Sequence, residues 1–418
     1  MSGRPSSAVS RRLPLIRAGA ARIAWAQRQM PVLSAIRERF ERERPLAGLR
    51  LAACLHITAE TANLMRALLA AGAEVALCAA NPLSTQDDVG AALVAEHGAA
   101  VFGTRGEDRD AYERALAELI DRSPQILIDD GAGLIVGAHA GDGAVAARVL
   151  GATEETATGL VALRAMASSS QLLCPVLAIN ESLTERVFND SYGTGQSTLD
   201  GLLRATNLLL AGRTVVVLGY GSAGRGVATR AKGMGAAVIV CEVDSVRALE
   251  ARMEGFGVMS ALEAARVGEV FITVTGAPSA LRREHFELMR DGAVLANAGH
   301  FDVEISLADL GEIASEISEV LPLVDEYVIG GRRLHLVAKG RVVNLAAAAG
   351  HPPAVMDLSF AAQALTIQAI VAEDGYDAAI HPIPTAIDQE VARLKLATLG
   401  VEIDVLSEAQ ERYLRPFR

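Results

Sequence analysis

From Arg50 onward the apolar positions fall into two alternating patterns: short aliphatic runs, and longer stretches with apolar residues three and four apart. LRLAACL reads as a strand, ETANLMRALLAAG as a helix and AEVALCA as a second strand. A helix from Asp87, a short AAVFG strand, a helix over AYERALAELIDR and the strand QILIDDG continue the series. A helix Leu199–Leu210 leads to Gly212, and a second series opens with the strand Thr214–Leu218. It runs TVVVLGYGSAGRGVATRAKGMGAAVIVCEVD, then EVFITVTGAP, GAVLANAGH and RRLHLVAKGRVVNLA. Unbroken aliphatic runs mark strands buried on both faces, and their alternation with helices predicts doubly wound parallel sheets. The expected fold class is α/β, with two Rossmann-like domains. The apolar stretch Pro353–Ile370 returns the chain to the first region, which makes that domain discontinuous. The expected division is 1–196 with 354–395, then 197–353, then a C-terminal segment 396–418. Residues 1–10 read as a frayed tail before an amphipathic helix broken by Arg17 and Arg22, and no internal repeat or low-complexity linker appears.

Composition narrows the class. Of the 418 residues, 51% are hydrophobic but only 4% aromatic, so the apolar mass is aliphatic, and 38 glycines suit tight strand-to-helix turns. A net charge of −11 argues against nucleic acid or an anionic membrane as a partner, because both call for a basic face. Cys54, Cys78, Cys174 and Cys241 are far apart, so neither a disulfide framework nor a metal site is expected. Mean hydropathy is +0.28, yet the longest uncharged stretches, Ala165–Asn180 and Leu358–Ala372, fall short of the roughly 18 residues a spanning helix needs. No apolar signal core follows the basic N-terminus. A cytoplasmic protein is the expectation.

The strongest local motif is Gly219-Tyr-Gly221-Ser222-Ala223-Gly224, directly after a β-branched strand and opening a helical pattern. The first glycine permits the tight turn, the second lets the backbone approach a pyrophosphate, and the third lets helix and strand pack closely. Glu242 ends the next strand, where a carboxylate accepts hydrogen bonds from a ribose and repels the extra phosphate of NADP. NAD is therefore the expected cofactor, with Arg247 as the one nearby group that could tolerate that phosphate. Other candidates sit at strand ends, where α/β sheets bind ligands: His56, Thr58 and Glu60 after the first strand, and Asp129 with Asp130 in DDG. Paired carboxylates there suit proton transfer, one raising the pKa of the other, and they equally suit a helix cap. His300 in NAGHFD could reach a substrate on the nicotinamide; it and His351 in GHP also read as structural histidines.

HITAET, NPLSTQDD, DDG, EETATG, the segment Asn180–Ser197, GYGSAGRG, NAGHFDVEI and NLAAAAGHPPAVMDLSF occur in one order. In that order they resemble the S-adenosylhomocysteine hydrolase family, from about Trp25 to the C-terminus. The resemblance implies a substrate domain and an NAD domain, and a redox-assisted elimination. Bound NAD oxidises a nucleoside 3'-hydroxyl, a base removes the acidified 4'-hydrogen, and the 5' substituent leaves; water then adds and the hydride returns. By motif position, His56, Asp130 and His300 match the proton-transfer group around the 5' position, and Glu155 the carboxylate on the ribose. Thr58 and Glu60 match adenine contacts, with His351, Met356 and Phe360 around the base; His351 also matches a residue that gates the substrate channel. Thr156, Thr158, Asp190, Gly221, Glu242, Thr275 and Asn344 match the cofactor side.

The departures carry as much information. Where the family reads NDSxTKxxFDNxYGC, this chain has Asn180-Glu-Ser-Leu-Thr-Glu185, and Asn189, Asp190 and Thr194 stand for aspartate, asparagine and cysteine. Glu185 replaces the lysine that helps deprotonate the 3'-hydroxyl, a reversal of charge. Either Glu185 is itself that base, its pKa raised by burial and by Glu155, or the redox step is lost. Gly133 replaces the last aspartate of DDGGD, and NPLSTQDD ends in Asp88 where the family has histidine. Arg418 stands where the family's lysine begins a tail that reaches a neighbouring subunit's NAD, so a weaker hold on the cofactor is expected. The resulting expectation is an NAD-dependent, homo-oligomeric paralogue that dehydrates an adenine nucleoside across the 4'–5' bond. Hydrolysis of S-adenosylhomocysteine and a silent NAD- and nucleoside-binding regulator are the alternatives.

Overall fold

The computed structural model describes residues 7–372 and 375–414. Residues 50–178 supply strands β1 (Arg50–Leu55), β2 (Glu74–Ala79), β3 (Ala100–Phe102), β4 (Ile126–Asp129), β5 (Gly151–Glu154) and β6 (Val176–Ala178). Next come β7 (Thr214–Leu218), β8 (Ala237–Cys241), β9 (Gly257–Val258), β10 (Val270–Thr273), β11 (Ala293–Asn297), β12 (Glu316–Leu321), β13 (Val324–Ile329) and β14 (Arg332–Val337). A last strand, β15 (Ile380–Pro382), pairs with β6. The first sheet has the order β15-β6-β5-β4-β1-β2-β3, parallel throughout. The second has the order β12-β13-β14-β11-β10-β7-β8-β9, parallel apart from the antiparallel β12-β13-β14 edge.

Both sheets are α/β layers of the doubly wound kind, and each strand divides its side chains between two cores. Leu51, Ala53 and Leu55 of β1 join the core that also holds the helix Pro353–Ala372, while Ala52 and Cys54 join the core on the other face. Val215 and Val217 of β7 face one core of the second sheet, and Val216 and Leu218 the other. That is why these strands read as unbroken apolar runs.

The helix Pro353–Ala372 is the one described helix long and apolar enough to cross a membrane by length and composition, and 67% of its most apolar window is buried inside the fold. It is apolar all round because it is packed all round. Its Asp357 is fully buried and anchors two other helices: Oδ1 accepts the Leu33 N–H (2.9 Å) and Oδ2 the Lys395 Nζ (2.9 Å). Burial still holds this carboxyl above its ordinary pKa, against the pull of the Leu33 amide and Lys395.

The structure corrects several expectations. A helix already begins at Ser7 and runs to Gln27 with Pro14 inside it, so residues 7–10 are not frayed; residues 1–6 lie outside the described residues. The helix expected over Leu199–Leu210 spans Gly195–Thr206, because Asn207 takes a left-handed conformation (φ 52°) and stops it. Strands β5, β6 and β15 have three or four residues each, too short to declare a period. The segment Glu185–Thr194 is a ten-residue π-helix that no sequence pattern indicated.

Candidate active site between the two sheets

In an open parallel sheet, ligands gather where the strand order reverses, at the carboxyl ends. In the first sheet this point lies between β1 and β4, and His56 follows β1 while Asp130 follows β4. In the second it lies between β7 and β10, and the turn from Gly219 follows β7. A cavity of about 390 Å³ is lined from both sides.

The expected residues converge on it. His56, Asp130, Glu155, Glu185, Asn189 and His300 all line the cavity. So do Thr58, Glu60, His351, Met356 and Phe360. On the cofactor side, Thr156, Thr158, Asp190, Gly221, Ser222, Ala223, Gly224 and Asn344 line it. Gly219, Glu242, Arg247 and Thr275 do not. Gly219 is the left-handed pivot of the turn (φ 100°), and Thr275 is turned to Glu304. Glu242 is pinned beside the turn: Oε2 accepts the Tyr220 N–H (2.6 Å), and Oε1 those of Val243 (2.7 Å) and Asp244 (3.0 Å). Its burial opposes ionisation, but these three donors hold its pKa below the ordinary value. Arg418 lies outside the described residues.

His56 Nε2 lies 3.3 Å from Asp130 Oδ2, and its Nδ1 lies 2.6 Å from Ser84 Oγ, a residue of NPLSTQDD whose role the motif alone does not indicate. Burial lowers the His56 pKa, Asp130 partly offsets this and His300 adds to it, while Ser84 orients the second ring nitrogen. His300 Nε2 stands 3.5 Å from where a Cβ on Gly131 would be, so it reaches from the second sheet to the DDG turn of the first. His351 Nε2 meets Thr194 Oγ1 at 3.3 Å, and burial takes its pKa down to about 4.

Carboxyl groups dominate the rest. Glu60, Asp130, Glu155, Glu185 and Asp190 line the cavity, and no lysine or arginine does among the described residues. Glu185 is 3% exposed. Burial pushes its pKa up to about 8, with Asp190 adding and the side chains of Ser359 and Asn189 subtracting. Burial likewise raises Asp190 to about 6. Glu155 is also held high, first by burial and then by Asp130 and Glu185. Asp130 Oδ1, Glu155 Oε1, Glu185 Oε1 and Asn344 Oδ1 are buried without a hydrogen-bond partner among the described residues. Buried polar atoms without a partner are costly unless a ligand or solvent satisfies them. Asn189 Nδ2 donates to Ser359 Oγ (3.1 Å), so this asparagine supports the site from the helix Pro353–Ala372.

The π-helix is set by tertiary anchors. Asp388 accepts the N–H groups of Leu183 and Thr184 (3.0 Å each) and the Thr184 hydroxyl (2.7 Å) just before it. A Cβ on Gly226 would lie 2.0 Å from the Ser191 carbonyl oxygen, so the π-helix rests directly on the helix Ser222–Gly233. One segment thereby carries Glu185, Asn189, Asp190 and Thr194 across to the glycine turn.

The turn fits a dinucleotide. A Cβ on Gly224 would lie 2.1 Å from the Gly219 carbonyl oxygen, whereas the nearest atom to a Cβ on Gly221 is 4.0 Å away. The space over the middle glycine is open, and the twelve-residue helix beyond it directs its N–H groups there. Asn344 offers its unpaired oxygen on the same side. Among the described residues, no group of three or more His, Cys, Asp or Glu is arranged to hold a metal ion.

Known proteins resemble this chain over nearly its whole length. Residues 9–144 match the family model "S-adenosyl-L-homocysteine hydrolase", and residues 190–350 match "S-adenosyl-L-homocysteine hydrolase, NAD binding domain". An adenosylhomocysteinase of Aquifex aeolicus is 54% identical over 96% of this chain and 97% of its own. Adenosylhomocysteinases of Thermococcus kodakarensis (96% of each chain) and Aeropyrum pernix (98% of each) are both 52% identical. Among solved structures, a dipicolinate synthase from Bacillus halodurans aligns with a TM-score of 0.52 at 13% identity, covering 79% of this chain and all of its own. That likeness concerns the fold alone.

Proposed function

Because the chain belongs to the S-adenosylhomocysteine hydrolase family and carries that family's NAD-binding domain, we propose that it hydrolyses S-adenosylhomocysteine to adenosine and homocysteine. Identity of 50–54% to adenosylhomocysteinases over nearly the whole chain is the observation that carries this reading. It displaces the dehydration of a nucleoside that the change at position 185 suggested, since overall similarity this high outweighs one altered segment.

NAD, when bound, supplies reversible removal of a hydride at the ribose 3' carbon, which acidifies the neighbouring 4'-hydrogen. The chain's own groups do the remainder. Glu185 takes the 3'-hydroxyl proton, and Glu155 holds the ribose hydroxyls. Asp130, His56 and His300 move the 4' proton, protonate the departing 5' sulfur and direct the water that replaces it. Thr58 and Glu60 hold the adenine edge, with His351, Met356 and Phe360 as walls. Thr156, Thr158, Asp190, Asn344 and the turn Gly219–Gly224 hold the cofactor, with Glu242, Arg247 and Thr275 in support. In this reading residues 1–196 with 354–395 form the substrate domain, 197–353 the cofactor domain and 396–418 a terminal segment. The protein works in the cytoplasm as a homo-oligomer. Exposed Leu399, Val401, Ile403 and Val405, and exposed Val246, Leu249 and Met253 on one helix, support that assembly.

The test is to incubate the NAD-loaded protein with S-adenosylhomocysteine and follow thiol. Thiol and adenosine are the expected products. A nucleoside alkene without thiol would restore dehydration, and no turnover with NAD still bound would mark a binding protein.

A further inference from the structure

Two buried glutamates stand one in each half of the site, and the chemistry above uses neither. Glu154 ends β5 and is 0% exposed. Its Oε1 accepts the N–H groups of Gly131 and Thr156 (2.9 Å each) and the Thr156 hydroxyl (2.6 Å), while Oε2 accepts the Ala132 N–H (2.9 Å). Glu304 follows β11 and is 1% exposed. Its Oε2 accepts the Thr275 N–H (2.8 Å) and hydroxyl (2.9 Å), and its Oε1 the Gly276 N–H (2.8 Å). Neither carboxyl pairs with a described cation. Each lies against a glycine: a Cβ on Gly159 would stand 2.3 Å from Glu154 Cδ, and one on Gly299 would stand 1.8 Å from Glu304 Oε1.

We propose that Glu154 and Glu304 are positioning residues that fasten the loops facing each other across the cavity. Glu154 joins the turn that presents Asp130 to the loop that presents Glu155 and Thr156. Glu304 joins the turn after β10 to the loop that presents His300. A carboxyl group suits this task, because its oxygens have lone pairs for three or four donors at once, whereas an amide of the same shape turns an NH2 against at least one of them. Burial raises the Glu154 pKa to about 7, and the Gly131 and Thr156 donors pull it back towards the ionised form. The Glu154 loop also holds strain, because Ala132 is a non-glycine residue at φ 63° and its N–H is one of the four donors. Such a conformation persists only where its surroundings over-determine it. Neither residue stands out in the sequence, because Glu155 beside Glu154 carries the motif match and NAGHFDVEI draws the eye to its histidine.

The inference rests on the proposed reaction only for its kinetic part, and the test separates the two. In the NAD-loaded protein, Glu154→Gln is expected to speed amide exchange at Gly131, Ala132 and Thr156 and to lower kcat about 100-fold, the usual consequence of a catalytic group displaced by about 1 Å, with little change in KM. Glu304→Gln is expected to speed exchange at Thr275 and Gly276 and to weaken NAD binding in a titration about tenfold, one lost charge-assisted hydrogen bond. Should a variant not fold, the wild-type protein decides, because these five amides must exchange as slowly as those of β4 and β10. Rapid exchange there, or variants that melt earlier while kcat and NAD affinity stay put, would overturn the proposal. If wild-type protein releases no thiol while the amides are protected and NAD binding responds, the reaction is wrong and the clamps stand.

Discussion

At position 185 a glutamate has one carboxyl oxygen buried without a described partner, in a cavity whose other ionisable groups are carboxyls and histidines. Nothing there favours its charge by pairing, so burial sets its behaviour and brings its pKa to about 8, close to the range in which a base is effective. Glu185→Gln is expected to lower turnover at least about 100-fold, the ordinary contribution of a general base, with NAD binding retained. In the unchanged protein the rate should climb as pH passes about 8 and Glu185 loses its proton. Stability moves the opposite way. Between its ordinary value of 4.5 and about 8 the folded state holds this proton more tightly than the unfolded state. Stability is therefore full below 4.5 and lost as pH rises through about 8. Thermal melts of wild type and Glu185→Gln should coincide at low pH and diverge in favour of the variant near pH 9. Parallel melts at every pH would mean that the carboxyl is not held in its neutral form.

Among the elements, the strand β7, its glycine turn and the helix Ser222–Gly233 form a unit that leaves no room for a side chain at Gly219, Gly224 or Gly226. Gly224→Ala brings a Cβ to 2.1 Å from the Gly219 carbonyl, which must move together with the turn. Overpacking of this kind costs about 1–3 kcal/mol, so NAD affinity should fall roughly tenfold or more, read by titration of the apoprotein. Unchanged affinity would show that the turn does not contact the cofactor. The π-helix Glu185–Thr194 makes a contrasting case. Its residues were legible as a motif, but its winding was not, since Asp388 and the glycine face of the neighbouring helix impose it from far along the chain. π-Helical segments collect at functional sites for this reason: they aim side chains that an α-helix would place elsewhere.

Across the whole molecule, the site exists only because two sheets present their carboxyl ends to one cavity. His300 of the second sheet meets the DDG turn of the first, and Asn189 is steadied by Ser359 from a helix some 170 positions later. The same scale bears on the proposed assembly. The apolar residues Leu399, Val401, Ile403 and Val405 alternate along an exposed segment, and a helix face of Val246, Leu249 and Met253 is exposed as well. These exposed apolar residues support the proposed homo-oligomer. Light scattering should therefore give a mass that is a multiple of 43.8 kDa. A monomer at working concentration would remove the homo-oligomer from the proposal.

The sequence by itself determined the α/β class, the glycine turn with its cofactor, and most side chains that reach the cavity. These are local signals: a β-branched run, glycines at fixed offsets, and motifs that keep neighbouring residues together. It did not reveal β5 or β6, where three or four buried residues carry no period. Only the tertiary structure decided which carboxyls lose their charge preference to burial, which are pinned by backbone donors, and which hold loops in place. Glu154, Glu155, Glu185 and Glu242 are the same residue type. Their different states come from dielectric surroundings and donors brought together by folding, and these depend on distances in space rather than along the chain.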